Sequence, residues 1–301
     1  MTFAIRNSVT PSAPLGSGDP EPPEIDADDV IADLPLLRAE AARQERNARF
    51  RRLAMRSLSL LLLFGLWWGA SAFNRYLVPT VNPNLLPGPP AVLAEGVRLW
   101  QAGTLQRDIL ASLVRVLEGF AIASVGGIVI GTLVARVGWI GDLFEPIIDV
   151  LRPIPPLAFL PLIVLYLGIG DISKVSFIAY AAFFPIFTTS REGMKYVDPI
   201  LIRAARSLGA TQRQILWHVV VPSAIPSVLT GLRLGLGLSF FVIIAAEFIA
   251  ASEGLGYLIN DAREFFRVDR MLLGASIIGI LGYGFTQMFG QLERRLQRWR
   301  R

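Results

Sequence analysis

Few side chains in this sequence can make or break bonds. It has no cysteine and a single histidine, His218, which removes disulfides, thiolate nucleophiles, cysteine-bound metals and multi-histidine metal sites. What remains are charged residues inside apolar stretches: Arg115, Glu118, Arg233 and Glu247. Arg115 and Glu118 are three apart, a spacing at which opposite charges pair across one helical turn. Arg233 and Glu247 are fourteen apart, about 21 Å along a helix, and cannot pair within it. Arg233 has two roles open to it, contact with an anion or snorkelling to a headgroup layer. Glu247 can face a solute, accept a structural hydrogen bond, or pair with an arginine such as Arg115. His218 reads as a surface or interfacial side chain. No acid pair and no nucleophile beside a base is present, so a membrane-embedded enzyme is disfavoured.

The elements that must position these residues are membrane helices. The 301 residues are 53% hydrophobic and only 18% charged, with a mean hydropathy of +0.51. Soluble domains carry about 25% charge. Apolar blocks near the roughly 20 residues needed to cross hydrocarbon fall at 57–76, 116–137, a proline-rich stretch ending near 169, 175–189, 227–251 and 271–288. The third must run back through Pro153, Pro155 and Pro156, which predicts a broken helix. The fold class is therefore all-α and polytopic, with about six spans. Segment 91–106 reads as either an amphipathic helix on the outer interface or an ordinary loop. Trp67, Trp68 and Trp100 read as lipid-facing or interfacial anchors. Gly127 with Gly131, and Gly231, Gly235 and Gly237, permit close helix approach.

The ends differ from the middle. Residues 11–33 are rich in Pro, Gly, Asp and Glu, and 1–50 is expected to be a disordered cytoplasmic tail. The first span and its outer loop occupy 51–90, the main membrane domain 91–293, and a basic cytoplasmic tail 294–301. The first apolar stretch begins near Ser57, too far in for a secretory signal. The net charge of +5, from 29 basic and 24 acidic residues, reads as an orientation signal and not as a nucleic-acid footprint. Arg43 to Arg56, Arg136, Arg152, Arg191, Lys195, Arg203, Arg206, Arg213 and the C-terminal arginines then lie inside, with both termini.

The most informative stretch is the loop at 191–222. Leu201-Ile202-Arg203-Ala204-Ala205-Arg206-Ser207-Leu208-Gly209-Ala210 predicts a short helix and a glycine stop. Thr211 can cap a second short helix, and Pro222 suits the first turn of the following span. Ala204 and Ala205 let another surface approach the backbone closely. On residues alone, a cytoplasmic loop with two incidental helices stays equally open.

The Ala-Ala, three residues, Gly, nine residues, apolar-x-apolar-Pro pattern resembles the EAA loop of ATP-binding-cassette (ABC) importer permeases. Its usual glutamate is Arg203 here, and its Ile and Leu are Val219 and Val221. Further matches resemble the nitrate, sulfonate and taurine group: Ser112-Leu113-Val114-Arg115-Val116-Leu117-Glu118-Gly119-Phe120, Leu151-Arg152-Pro153-Ile154-Pro155-Pro156-Leu157-Ala158, Phe184-Pro185-Ile186 and Val197-Asp198-Pro199. Gly254 to Phe266, above all Ala262-Arg263-Glu264-Phe265, is most similar to aliphatic sulfonate permeases.

The resemblance implies a type I (MetI-like) importer half in a bacterial inner membrane, working as a homodimer with a second permease copy among membrane lipid. A cytoplasmic ABC ATPase dimer would bind ATP and magnesium, and an extracytoplasmic solute-binding protein would deliver the substrate; no cofactor is expected on this chain. No G-x-x-x-x-G-K-[ST] phosphate loop occurs, since the glycines between Gly168 and Lys174 have the wrong spacing. By this resemblance Arg203, Ala204, Ala205, Arg206, Ser207, Leu208, Gly209, Ala210 and Pro222 couple to the ATPase. Candidates for the substrate path are Arg233, Ser239 and Glu247. The expected substrate is an aliphatic sulfonate, with nitrate or taurine as alternatives within the group. An ion-coupled secondary carrier is the reading from another class, and it would transport without a partner.

Overall fold

The computed structural model describes residues 27–76 and 82–296. Among the described residues every regular element is helical, consistent with the all-α expectation: α1 (Ala27–Tyr76), α2 (Pro89–Gln101), α3 (Thr104–Arg136), α4 (Gly138–Leu151), α5 (Pro156–Leu167), α6 (Asp171–Lys195), α7 (Pro199–Ser207), α8 (Gln212–Ile215), α9 (Val221–Ala250), α10 (Leu255–Glu264) and α11 (Val268–Leu296). A 3₁₀ turn covers Pro83–Leu85, and one π-helical turn covers Leu216–Val220. Among the described residues five helices are long and apolar enough to cross a membrane, and the pair α4–α5 makes a sixth if taken as one broken span. That pair bends by 101° at the proline cluster, where the sequence predicts a break.

The chain falls into two units, 1–65 and 66–301. In the first, the expected disordered tail lies outside the described residues up to position 26, and helix begins at Ala27. The physical reason is propensity: 36–52 is built largely from Leu, Ala, Arg, Glu and Gln, all strong helix formers. Leu58, Leu61, Leu62, Leu63 and Phe64 are exposed there. The expected basic tail at 294–301 overlaps the last turn of α11, and positions 297–301 lie outside the described residues.

The second unit is organised around α6, which packs between α3 and α9. Val116, Phe177, Ile178, Leu236, Phe240 and Ile243 fill the interface. Glycine permits the close approach: a Cβ on Gly127 of α3 would sit 2.8 Å from Ile186 Cγ2, and one on Gly235 of α9 would sit 2.7 Å from Ile186 Cδ1. At Gly131 the obstacle is backbone, with Phe187 O at 2.9 Å and Arg191 N at 3.2 Å, whereas nothing lies within 4 Å of a Cβ at Gly237. Gly131→Ala is therefore expected to destabilise the bundle by about 1–3 kcal/mol, because neither helix can give way. Gly237→Ala should leave stability unchanged or slightly raised. Thermal unfolding of both variants in detergent checks the contrast.

Segment 91–106 is a helix followed by a break. Pro89 opens α2, and Gly103, at φ +76°, ends the connection before α3. Val92 and Leu99 pack with Leu255, Leu258 and Ile259 of α10 and Leu273 and Ile278 of α11. Trp68 and Trp100 are exposed, as anchors should be. Trp67 is only partly so, and its Nε1 donates to Pro87 O at 3.1 Å.

Candidate functional site

The elbow, as we call the turn from α7 through α8 within the loop at 191–222, forms from local signals. Asp198 caps α7 by accepting the Ile200 N–H at 2.8 Å. At the far end Gly209 has φ +76°, its N–H bonds to Arg206 O at 2.9 Å, and the Ala210 N–H bonds to Ala205 O at 3.1 Å. That pair of bonds is a Schellman stop, which a left-handed glycine makes possible. Thr211 and Gln214 then form a reciprocal capping box that starts α8. Pro222 stands in the first turn of α9. Ile202, Ala205 and Ala210 turn inward onto Met194, Val197, Ile215 and Val220, which ties the elbow to the ends of α6 and α9. Arg203, Ala204, Arg206, Ser207 and Leu208 face outward, Leu208 at 87% exposure. His218 is exposed, with Nδ1 3.1 Å from Gln214 O.

At the α10 end lies a buried clasp. The Glu247 carboxylate is wholly inaccessible; it accepts from Ser112 Oγ at 2.8 Å, Arg115 Nη1 at 2.8 Å and the Gly256 N–H at 2.7 Å. Arg115 also donates from Nε to Asp171 at 2.7 Å and from Nη1 to Glu253 O at 2.8 Å. Asp108 accepts the Gly254 N–H at 2.9 Å, and Ser112 Oγ accepts the Leu255 N–H at 2.8 Å. Three side chains on one face of α3 thus grip the α9–α10 turn and satisfy amides that open α10. A Cβ on Gly254, at φ +125°, would sit 2.5 Å from Glu247 Cδ.

The expected residues are distributed as follows. Glu247 pairs with Arg115, while Glu118 stays exposed, so the i,i+3 pair is not the one formed. Ser239 is fully buried and its hydroxyl donates to Gly235 O at 2.9 Å. Arg233 is 45% exposed and 3.9 Å from Glu293. The three residues expected to line one path do not meet: Ser239 and Glu247 are turned into the protein, their polar atoms engaged. A cleft of about 450 Å³ instead opens between α6, α7 and α9, where Thr189, Ser223, Ser227 and Thr230 present hydroxyls. The sequence reading singled out none of these four, nor Asp108, Asp171 or Glu253.

A second buried carboxylate, Glu95 on α2, gathers three arginines. It accepts from Arg98 at 2.6 and 2.7 Å and from Arg270 at 2.6 Å, with Arg267 at 3.2 Å. The Arg98 hydrogen bonds, helped by Arg270 and Arg267, hold its pKa at about 2 against an ordinary 4.5. A carboxylate depressed in the folded state stabilises fully above its ordinary pKa, and that stabilisation is lost as pH falls from about 4.5 towards 2. Glu95→Gln is expected to lower the melting temperature at pH 7, with the gap closing across that window. A pH series of thermal melts on both proteins checks it.

With the elbow and clasp in view, comparison with known proteins is decisive. Residues 127–298 match the family described as "Binding-protein-dependent transport system inner membrane component". The chain belongs to this family. The permease is 37% identical over 246 residues to the taurine transport system permease protein TauC of Escherichia coli (strain K12), covering 80% of this chain and 88% of that one. SsuC of Bacillus subtilis (strain 168), named for aliphatic sulfonates transport, is 30% identical over 273 residues, 90% of this chain and 97% of that one. Among solved structures, the MetNI methionine ABC transporter matches with a TM-score of 0.57 at 21% identity, over 65% of this chain and 97% of that one, which shows the fold. The permease is thus a multi-pass inner-membrane subunit of an ABC importer with the type I fold. Its relatives are permease components and not catalytic subunits.

Proposed function

We propose that the permease imports a sulfonate-bearing anion by alternating access, driven by a separate ATPase. The elbow carries this reading: a short helix presents a bare alanine surface and an exposed leucine, while its inward face is packed onto the ends of two spanning helices. A push on α7 therefore reaches α6 and α9 directly. Two cytoplasmic ATPase subunits dock on the elbows of two permease copies and bind ATP and magnesium. An extracytoplasmic binding protein delivers the solute, and both termini of each permease lie inside. Closure of the ATPases opens the bundle outward, and hydrolysis restores the inward-open state.

For the substrate, the support is that TauC and SsuC are named for taurine and aliphatic sulfonates. Taurine is itself an aminoalkyl sulfonate, so the two names share one anionic headgroup. Hydroxyls such as those of Ser223 and Ser227 lower the desolvation cost of that group along α9. Uptake into proteoliposomes holding permease, ATPase and binding protein tests the assignment. Radiolabelled taurine or an alkanesulfonate is expected to accumulate; accumulation of nitrate with no sulfonate uptake would overturn it.

A further inference from the structure

The outward face of the elbow carries charge that no carboxylate among the described residues balances. Arg203 and Arg206 stand one turn apart on α7, Arg213 follows on α8, and all three are exposed. From Pro199 to Ala246 the sequence contains neither Asp nor Glu. The nearest acid, Asp198, already serves as the α7 cap. No carboxylate among the described residues comes within ion-pair distance of these three arginines. Less exposed arginines are closely paired: Arg191 with Glu145, Arg115 with Glu247 and Asp171, Arg270 with Glu95. Beside the unpaired charges, Leu208 projects from the Gly209 turn at 87% exposure, and Ala204 lies flat and exposed.

We infer that the ATPase surface receiving the elbow is an acidic-rimmed groove with an apolar socket, its carboxylates facing Arg203 and Arg206 and its socket taking Leu208. The inference rests on the elbow being the ATPase contact, and adds the chemistry of the surface it meets. A guanidinium fork favours bidentate contact with carboxylates, and such rim pairs steer association and weaken with salt. Basic loops also set membrane orientation, which depends on total charge near the spans more than on its position. Arg152, an exposed arginine at the α4–α5 bend, therefore serves as the control.

The test measures binding of the ATPase that co-purifies with the wild-type permease, in detergent across a salt series, to wild type, R203E/R206E and R152E. Protease accessibility of a C-terminal tag reports orientation in each. The double reversal is expected to weaken binding by about tenfold or more at low salt and to flatten the salt dependence, with orientation unchanged. Lysine substitutions at acidic groove residues of the ATPase should restore it, and R152E should bind like wild type. Equal binding by R203E/R206E at every salt overturns the acidic groove and leaves the ATPase reading intact. An equal loss in R152E, or an inverted tag, shows an orientation effect and overturns it too. If no ATPase co-purifies with wild type, this inference and the reading beneath it fall together.

Discussion

Gly209→Val is expected to reduce substrate-stimulated ATP hydrolysis in the assembled transporter to its basal level, while the melting temperature of the bundle stays close to wild type. Gly209 sits at φ +76°, and nothing lies within 4 Å of an added Cβ, so the substitution clashes with no neighbour. Its effect is on the backbone. A non-glycine residue in the left-handed region costs roughly 1–2 kcal/mol, and a β-branched one fits it worst. The turn would relax and release the bonds to Arg206 O and Ala205 O, freeing Ala205 and Ala210 from the cluster they share with Met194 and Val220. The helix would remain, but its angle to α6 and α9 would no longer be fixed. Gly209→Asn, which tolerates the same conformation, should retain most of the coupling. Steady-state ATPase assays with and without loaded binding protein measure both. Full stimulation in the valine variant would remove the elbow from the mechanism.

Glu247→Ala should cost about 3–5 kcal/mol of stability, because it leaves a buried guanidinium, the Ser112 hydroxyl and the Gly256 amide without their acceptor. Glu247→Gln should cost less, since it retains an acceptor for Gly256 and Ser112, and Arg115 keeps Asp171 and the Glu253 carbonyl. Glu118→Ala, at an exposed position on the same face of α3 as Arg115, should fall within about 0.5 kcal/mol of wild type. Chemical denaturation in mixed micelles ranks the three. If Glu247→Ala melts like wild type yet transports nothing, the carboxylate belongs to the substrate path after all.

What the sequence made legible follows from distance along the chain. The elbow was readable because every part of it is local: Asp198, Gly209, Thr211 and Pro222 each act within a few residues. The broken third span was readable for the same reason, from its prolines. The π turn before α9 left no such mark. The clasp joins residues far apart, with 135 positions between Ser112 and Glu247 and 146 between Asp108 and Gly254. Of the clasp only the pairing of Glu247 with Arg115 could be anticipated, and it is the one formed, whereas the i,i+3 pair with Glu118 is not. The helices also run past the apolar blocks. Hydropathy stops at the first polar residues, whereas α3 begins at Thr104 because Asp108, Ser112 and Arg115 are satisfied inside the protein. The N-terminal expectation weighed acid and proline content and underweighted the alanine and arginine run that carries α1 upstream.

The most direct measurement compares proteoliposomes containing the purified permease alone with others containing permease, ATPase and binding protein, following sulfonate uptake and phosphate release together. The account requires both activities in the complete assembly and neither from the permease alone. Sulfonate accumulation, or nucleotide cleavage, by this chain without a partner would contradict it.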